Sequence, residues 1–196
     1  MQKAKTSTKE KILLATIECI EKEGIHAVTI RKIAKIANVN IASVNYHFNS
    51  KQNLLHQLAK FTAENMVREW YMQLENENEI ETILKFIAKE LIVGILQYPN
   101  LSRWHFFEIF NKPENIISQY LIGFIEKLSE KINKLYPNLP PQNIQKLIIQ
   151  FFSLFIFYPL FNTIFNSALK NNLLNEQNID EFVSSTINTL IRDYLN

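Results

Sequence analysis

The sequence predicts an all-α fold, and three observations predict it. Apolar residues recur at three- and four-residue spacing through most of the chain, and the strict alternation of a half-buried strand is absent. Only three Gly and six Pro punctuate 196 residues. With so few turn formers, long helices joined by short connections are expected. No internal repeat and no Gly/Ser-rich linker is visible, so a small head and a larger body joined by a shared helix are expected.

The elements follow in order. Ser7-Thr8-Lys9-Glu10 reads as a capping box opening a first helix, whose apolar stripe is Ile12, Ala15, Cys19 and Ile20. Gly24 stands where a left-handed cap would close that helix. Thr29 is a good N-cap for a second helix through Ile30, Ile33, Ala34 and Ala37, and Asn38 tolerates the left-handed backbone of a tight turn. A third helix spans about Ile41 to Phe48, and Ser50 caps a longer fourth helix carrying Leu54, Leu55, Leu58, Phe61 and Thr62. Further helices are expected around 80–98, 101–111, 114–135, 142–170 and 178–195, with Pro99, Pro113, Pro137 and Pro140-Pro141 at the breaks.

Composition narrows the class. Hydrophobic residues make up 47% and charged residues 20%, which suits a soluble protein with a real core. A single Cys cannot form an internal disulfide, and Met1 to Glu10 lack the apolar run of a signal peptide, so a cytoplasmic location is expected. The net charge of +2 hides an asymmetry: residues 1–60 carry +6 and the rest −4. A basic head on an acidic body suggests that the head meets a polyanion.

The stretch from Thr29 to Leu55 is the most informative. It holds two short helices around the turn Asn38-Val39-Asn40, with small Ala34 at the crossing and Ile33, Val39 and Val44 as an internal core. This is the arrangement of a helix-turn-helix, whose second helix enters the major groove of DNA. Thr29, Ile33, Ala34, Ala37, Val39, Tyr46, Phe48, Lys51 and Leu54 stand in the register of the TetR/AcrR family of regulators, which the segment resembles; Ile12, Leu13, Ala15 and Gly24 match its first helix. The likeness covers about the first quarter of the chain. Many family members have Gly at 38 and an aromatic residue at 45, where this chain has Asn at both positions.

The resemblance implies an N-terminal three-helix DNA-binding domain over 1–52 and a helical effector-binding and dimerisation domain over 53–196. It implies phosphate contacts by Thr29, Tyr46, His47 and Lys51, and base readout by Arg31, Asn40, Ile41, Ala42, Ser43 and Asn45. The chemistry agrees: Asn pairs bidentately with adenine, and Ala or Ile meets a thymine methyl. The expected function is a ligand-responsive repressor. As a homodimer it binds a palindromic double-stranded operator, and a small apolar or aromatic effector releases it. The alternative is a helical small-molecule-binding protein without DNA binding.

Twelve of fourteen Phe follow residue 80. Trp104, Phe107, Phe124 and Phe155 are the expected lining of an effector pocket. The uncharged stretch 147–169 is long enough for a membrane span, but Gln150, Ser153, Asn162, Thr163, Asn166 and Ser167 interrupt it and Pro159 would bend it. It reads instead as half of a dimer contact. Phe157, Phe161 and Phe165 pair there with Val183, Ile187, Leu190, Ile191 and Tyr194 of the last helix, giving a four-helix interface as in the family. No membrane partner is expected. Gly94 and Gly123, inside helices, read as close-packing positions or as room for a ligand. Cys19 reads as core. His105 and Glu108 share a helix face, but no further His or Cys cluster completes a metal site, so neither metal nor cofactor is expected. No nucleophile motif or phosphate-cradling Gly loop is present, so no enzyme is expected.

Overall fold

The computed structural model describes residues 6–170, 172, 174–175 and 178–195. Within them the fold is all-α: α1 (Thr8–Glu23), α2 (Ile30–Ile36), α3 (Ile41–Phe48), α4 (Lys51–Asn76), α5 (Ile80–Gln97), α6 (Pro99–Asn111), α7 (Ile116–Leu135), α8 (Pro141–Leu160), α9 (Asn162–Leu169) and α10 (Ile179–Tyr194). A single 3-10 turn, Ile25–Ala27, follows α1. Of the bases in the head, Lys3 and Lys5 lie outside the described residues.

The chain forms two compact units. The first takes the chain up to Glu64 together with Tyr98–Ser118; the second takes Asn65–Gln97 and the chain from Gln119 onward. The sequence places a boundary at 52, at the start of α4. The unit that holds the head instead runs along α4 to Glu64 and gains α6, because α6 buries Leu101 and Trp104 and packs on α1.

In the first unit, α1 supplies Ile12, Ala15, Cys19 and Ile20 to the core. Ile33 and Ala34 come from α2, Val44 and Phe48 from α3, and Leu54 and Leu58 from α4. Each large side chain among them contributes roughly 1.5–3 kcal/mol of transfer free energy. Helix ends are set by the predicted caps. Ser7 Oγ accepts from the Glu10 amide at 3.1 Å, Thr29 Oγ1 from Lys32 at 3.2 Å and Ser50 Oγ from Asn53 at 3.1 Å. Asn38 takes φ 53°, as its turn requires. Gly24 also has positive φ, but its backbone at φ 80°, ψ 166° is not the left-handed helical cap expected; it lies in a region open essentially to glycine alone.

In the second unit α5, α8 and α10 pack against one another. Trp70 of α4 meets Phe124 of α7 with ring centroids 5.0 Å apart, and the tilted rings of Phe151 and Phe155 of α8 lie 5.1 Å apart. The single helix expected over 142–170 is two helices. Pro159 lacks the amide that would continue the ladder, α8 ends at Leu160, and Phe161 at φ −108°, ψ 16° turns the chain into α9. Pro99 falls at the break between α5 and α6, as expected, and is the first residue of α6, where a missing amide costs nothing.

The two helical glycines differ. A Cβ on Gly123 would meet the Tyr71 hydroxyl at 3.4 Å, in ordinary contact, whereas a Cβ on Gly94 would meet nothing within 4 Å. Close packing therefore requires glycine at neither position, and only Gly94 faces open space. Gly94→Ala is expected to stabilise the protein by about 1 kcal/mol, the helix-interior difference between the two residues. Chemical denaturation checks this, and a loss of stability would show that the space beside Gly94 is used.

Candidate nucleic-acid interface

The site is built on α3, whose roll about its axis is fixed by two buried residues. Val44 and Phe48, one turn apart, are fully buried. Ile41, Ala42, Asn45 and Tyr46 are consequently exposed on the opposite side, in two rows of i,i+4 neighbours. Tyr46 is 83% exposed, and its ring meets the edge of His47 at 5.2 Å. His47 is half-buried between Tyr46 and Phe48.

The flanking residues carry the groups that suit phosphate. Arg31 on α2 and Lys51 at the first position of α4 are exposed, and among the described residues no ion pair engages them. Lys32 differs. It pairs with Glu23 at 2.7 Å, and that hydrogen bond raises its pKa. Lys51 opposes the dipole of its own helix, a placement that a nearby anion would offset. Thr29 uses an oxygen lone pair on the Lys32 amide, which leaves its hydroxyl proton to donate.

Asn40 has a structural task that the sequence reading missed. Its Oδ1 caps α3, accepting from the Ser43 amide at 2.6 Å. Bidentate pairing with adenine needs the same oxygen as acceptor, so the free Nδ2 amide is what Asn40 offers a ligand. The signal was in the sequence, since Asn directly before an apolar-periodic run is a strong N-cap type. Ser43 is half-buried beneath this cap, while Asn45 is exposed with its side chain outward.

The residues expected around an effector are not assembled within either unit. Trp104 is buried in the first unit, on the same helix as Phe107, which is 63% exposed. Phe124 and Phe155 are both wholly buried in the second unit, in contact with Trp70 and Phe151 respectively. A surface groove of about 460 Å³ between α7 and α8 is lined by Ile125, Glu126, Ser129, Ile148 and Ile149, among others, and by none of the four.

The expected dimer residues also divide. Val183, Ile187 and Leu190 of α10 are buried in their own unit, packing on α5 and α8, so they offer no surface to a partner. Ile191 and Tyr194 pack half-buried against that core, and Phe165 against Phe157 and Tyr158. Phe157 and Phe161 are exposed, in ring contact at 4.7 Å, and Ile149, Leu154 and Ile164 extend their apolar stripe along α8 and α9. α8 is long and apolar enough to cross a membrane by length and composition. Its other face, with Ile144, Leu147, Phe151 and Phe155, is buried as in a core helix.

Cys19 is buried, and burial pushes its thiol pKa up, which suits a core residue. His105 is a tether: its Nε2 lies 3.0 Å from Thr62 Oγ1, and burial lowers its pKa to about 4. Among the described residues no group of three or more His, Cys, Asp or Glu could hold a metal ion.

Residues 12–58 match the family described as "Bacterial regulatory proteins, tetR family". Over nearly its whole length the chain also superposes on FadR from Bacillus subtilis, solved in complex with stearoyl-CoA. The TM-score is 0.66, with 16% identity, over 92% of this chain and 96% of that one. The chain has the TetR-family fold. The segment that matches the family, 12–58, contains every candidate DNA-binding residue named above. The chain is also similar to the "Probable HTH-type transcriptional regulator YttP" of Bacillus subtilis, at 34% identity over 50% of this chain and 47% of that protein. It is similar to the nucleoid occlusion factor SlmA of Vibrio campbellii as well, at 26% identity over 70% and 65%. The alignments thus span about half to just under two thirds of these relatives' own lengths.

The partly buried, neutral His105 gives the first unit an acid-sensitive point. Its folded pKa near 4 lies below its ordinary 6.5, so the unfolded chain binds the proton more readily. The associated stability is complete above pH 6.5, declines as pH falls, and is lost below about 4, a change of roughly 3 kcal/mol at most. The stability difference between the wild type and His105→Gln should therefore shrink between pH 6.5 and 4 in urea titrations. A difference independent of pH would contradict this.

Proposed function

We propose that the protein is a cytoplasmic transcriptional repressor that binds a palindromic operator as a homodimer and is released by a small apolar or aromatic effector. The observation that carries this reading is the outward face of α3. Its exposed Ile41, Ala42, Asn45 and Tyr46 lie inside the TetR-type segment and are flanked by the exposed cations Arg31 and Lys51, which no ion pair engages among the described residues. Phosphates are held by Thr29, Tyr46, His47 and Lys51. Bases are read by Asn45, Ser43, Ala42 and Ile41, with Arg31 and the Asn40 amide at the edges.

The homodimer forms through the exposed stripe Ile149, Leu154, Phe157, Phe161 and Ile164. An apolar surface of this kind, next to a core already filled, is what a second copy buries. The effector acts by preferring one of two dimer states, the only way a ligand shifts such an equilibrium. Its apolar character is supported by the aromatic richness of the body and by FadR, a protein of the same fold that takes stearoyl-CoA.

Lys51→Ala should weaken binding to every duplex alike and reduce the slope of log affinity against log salt by about one. Titrations across a salt series check this, and an unchanged slope removes Lys51 from the phosphate contacts. Phe157→Glu should turn the dimer into a monomer in sedimentation and weaken operator binding. A variant that remains dimeric moves the interface elsewhere.

A further inference from the structure

α6 begins without a cap of its own. Pro99 at its first position has no amide, and Tyr98 before it makes no side-chain cap. The next two amides are free in any helix and need an acceptor. Both find it on α1. The Leu101 amide donates to Glu21 Oε1 at 2.6 Å, and the Asn100 amide to Glu21 Oε2 at 3.2 Å. Asn100 Nδ2 adds a third bond, to the backbone oxygen of Glu21 at 2.9 Å, and Arg103 donates to Asn100 Oδ1 at 3.1 Å.

Each carboxylate oxygen therefore holds one of the orphan amides of a helix 79 and 80 residues away in sequence. The charge bears this out. A carboxylate near the C-terminus of α1 is badly placed for α1's own dipole, whereas at the N-terminus of α6 it is well placed. Below this clamp Leu101 and Trp104 enter the core, and His105 reaches Thr62 of α4 at 3.0 Å. α1, which carries Glu21, also packs on α2 and α3.

We propose that Glu21 is a positioning residue: its carboxylate is the missing N-cap of α6 and fastens that helix to the DNA-binding head, so that α6 and the recognition helix respond as one body. The coupling to DNA rests on the function proposed above; the clamp itself does not. Because coupling is reciprocal, DNA bound at α3 should tighten the clamp, and a displaced α6 should weaken DNA binding.

Amide hydrogen exchange on the full-length protein tests this, with and without a random-sequence duplex at low salt. In the wild type the amides of Asn100 and Leu101 should be protected, and duplex should slow them further. Glu21→Ala should speed both about tenfold, the worth of one charge-assisted hydrogen bond, while the amides of α2 and α3 keep their rates. It should also abolish the duplex-dependent change at 100–101. Glu21→Gln, which keeps one acceptor oxygen and the shape, should fall between and covers the case in which the alanine variant does not fold. Unchanged exchange at Asn100 and Leu101 in both variants overturns the clamp. A wild type that binds duplex in a gel shift without slowing these amides overturns the coupling alone. A wild type that binds no duplex overturns the DNA-binding reading and the coupling with it, while the exchange rates of the variants still decide the clamp.

Discussion

The burial of Val44 and Phe48 is the contact on which the head depends. An α-helix turns by about 100° per residue, so fixing two inward side chains one turn apart fixes which side chains face outward. If α3 rolled by one residue, Phe48 would leave the core and Asn45 would swing away from its present face. α3 packs on α1 and α2, and Ile20, Ile33 and Leu54 of the same unit are likewise without exposure. Sequence specificity in such a protein is thus a consequence of core packing before it is a matter of polar contacts.

The helix ends show a second economy. α1, α2, α3 and α4 start with local side-chain caps at Ser7, Thr29, Asn40 and Ser50. These caps set the short helices at lengths too small to be stable alone. α6 lacks one and depends on a carboxylate supplied by α1. A helix that completes its first turn only against a neighbour is tied to that neighbour's position. The same solution limits Asn40, whose capping oxygen is not free to read a base.

Much of the head was legible from residue types. Caps, the Asn38 turn and the Ile33–Val44 core are local features, each encoded within a few positions. The body was legible only in outline. Periodicity gives a helix its apolar face but does not say which neighbour covers it. Hence Val183, Ile187 and Leu190 could be read as an interface when they fill their own unit's core. The break at Phe161 was hidden because 147–169 carries no charge to mark a helix end, and Pro159 alone signals it. The Glu21 clamp had no local signal, since its partners are about eighty residues away.

The central claim is that the outward face of α3 reads duplex DNA in two-fold related copies. The most direct measurement is a selection of purified, full-length protein against random duplexes, followed by sequencing of what it retains. The account predicts an inverted repeat whose half-sites lie about one helical turn, 34–36 Å, or a small multiple of that apart. A pool that stays random at low salt, or a single unpaired half-site, would contradict it.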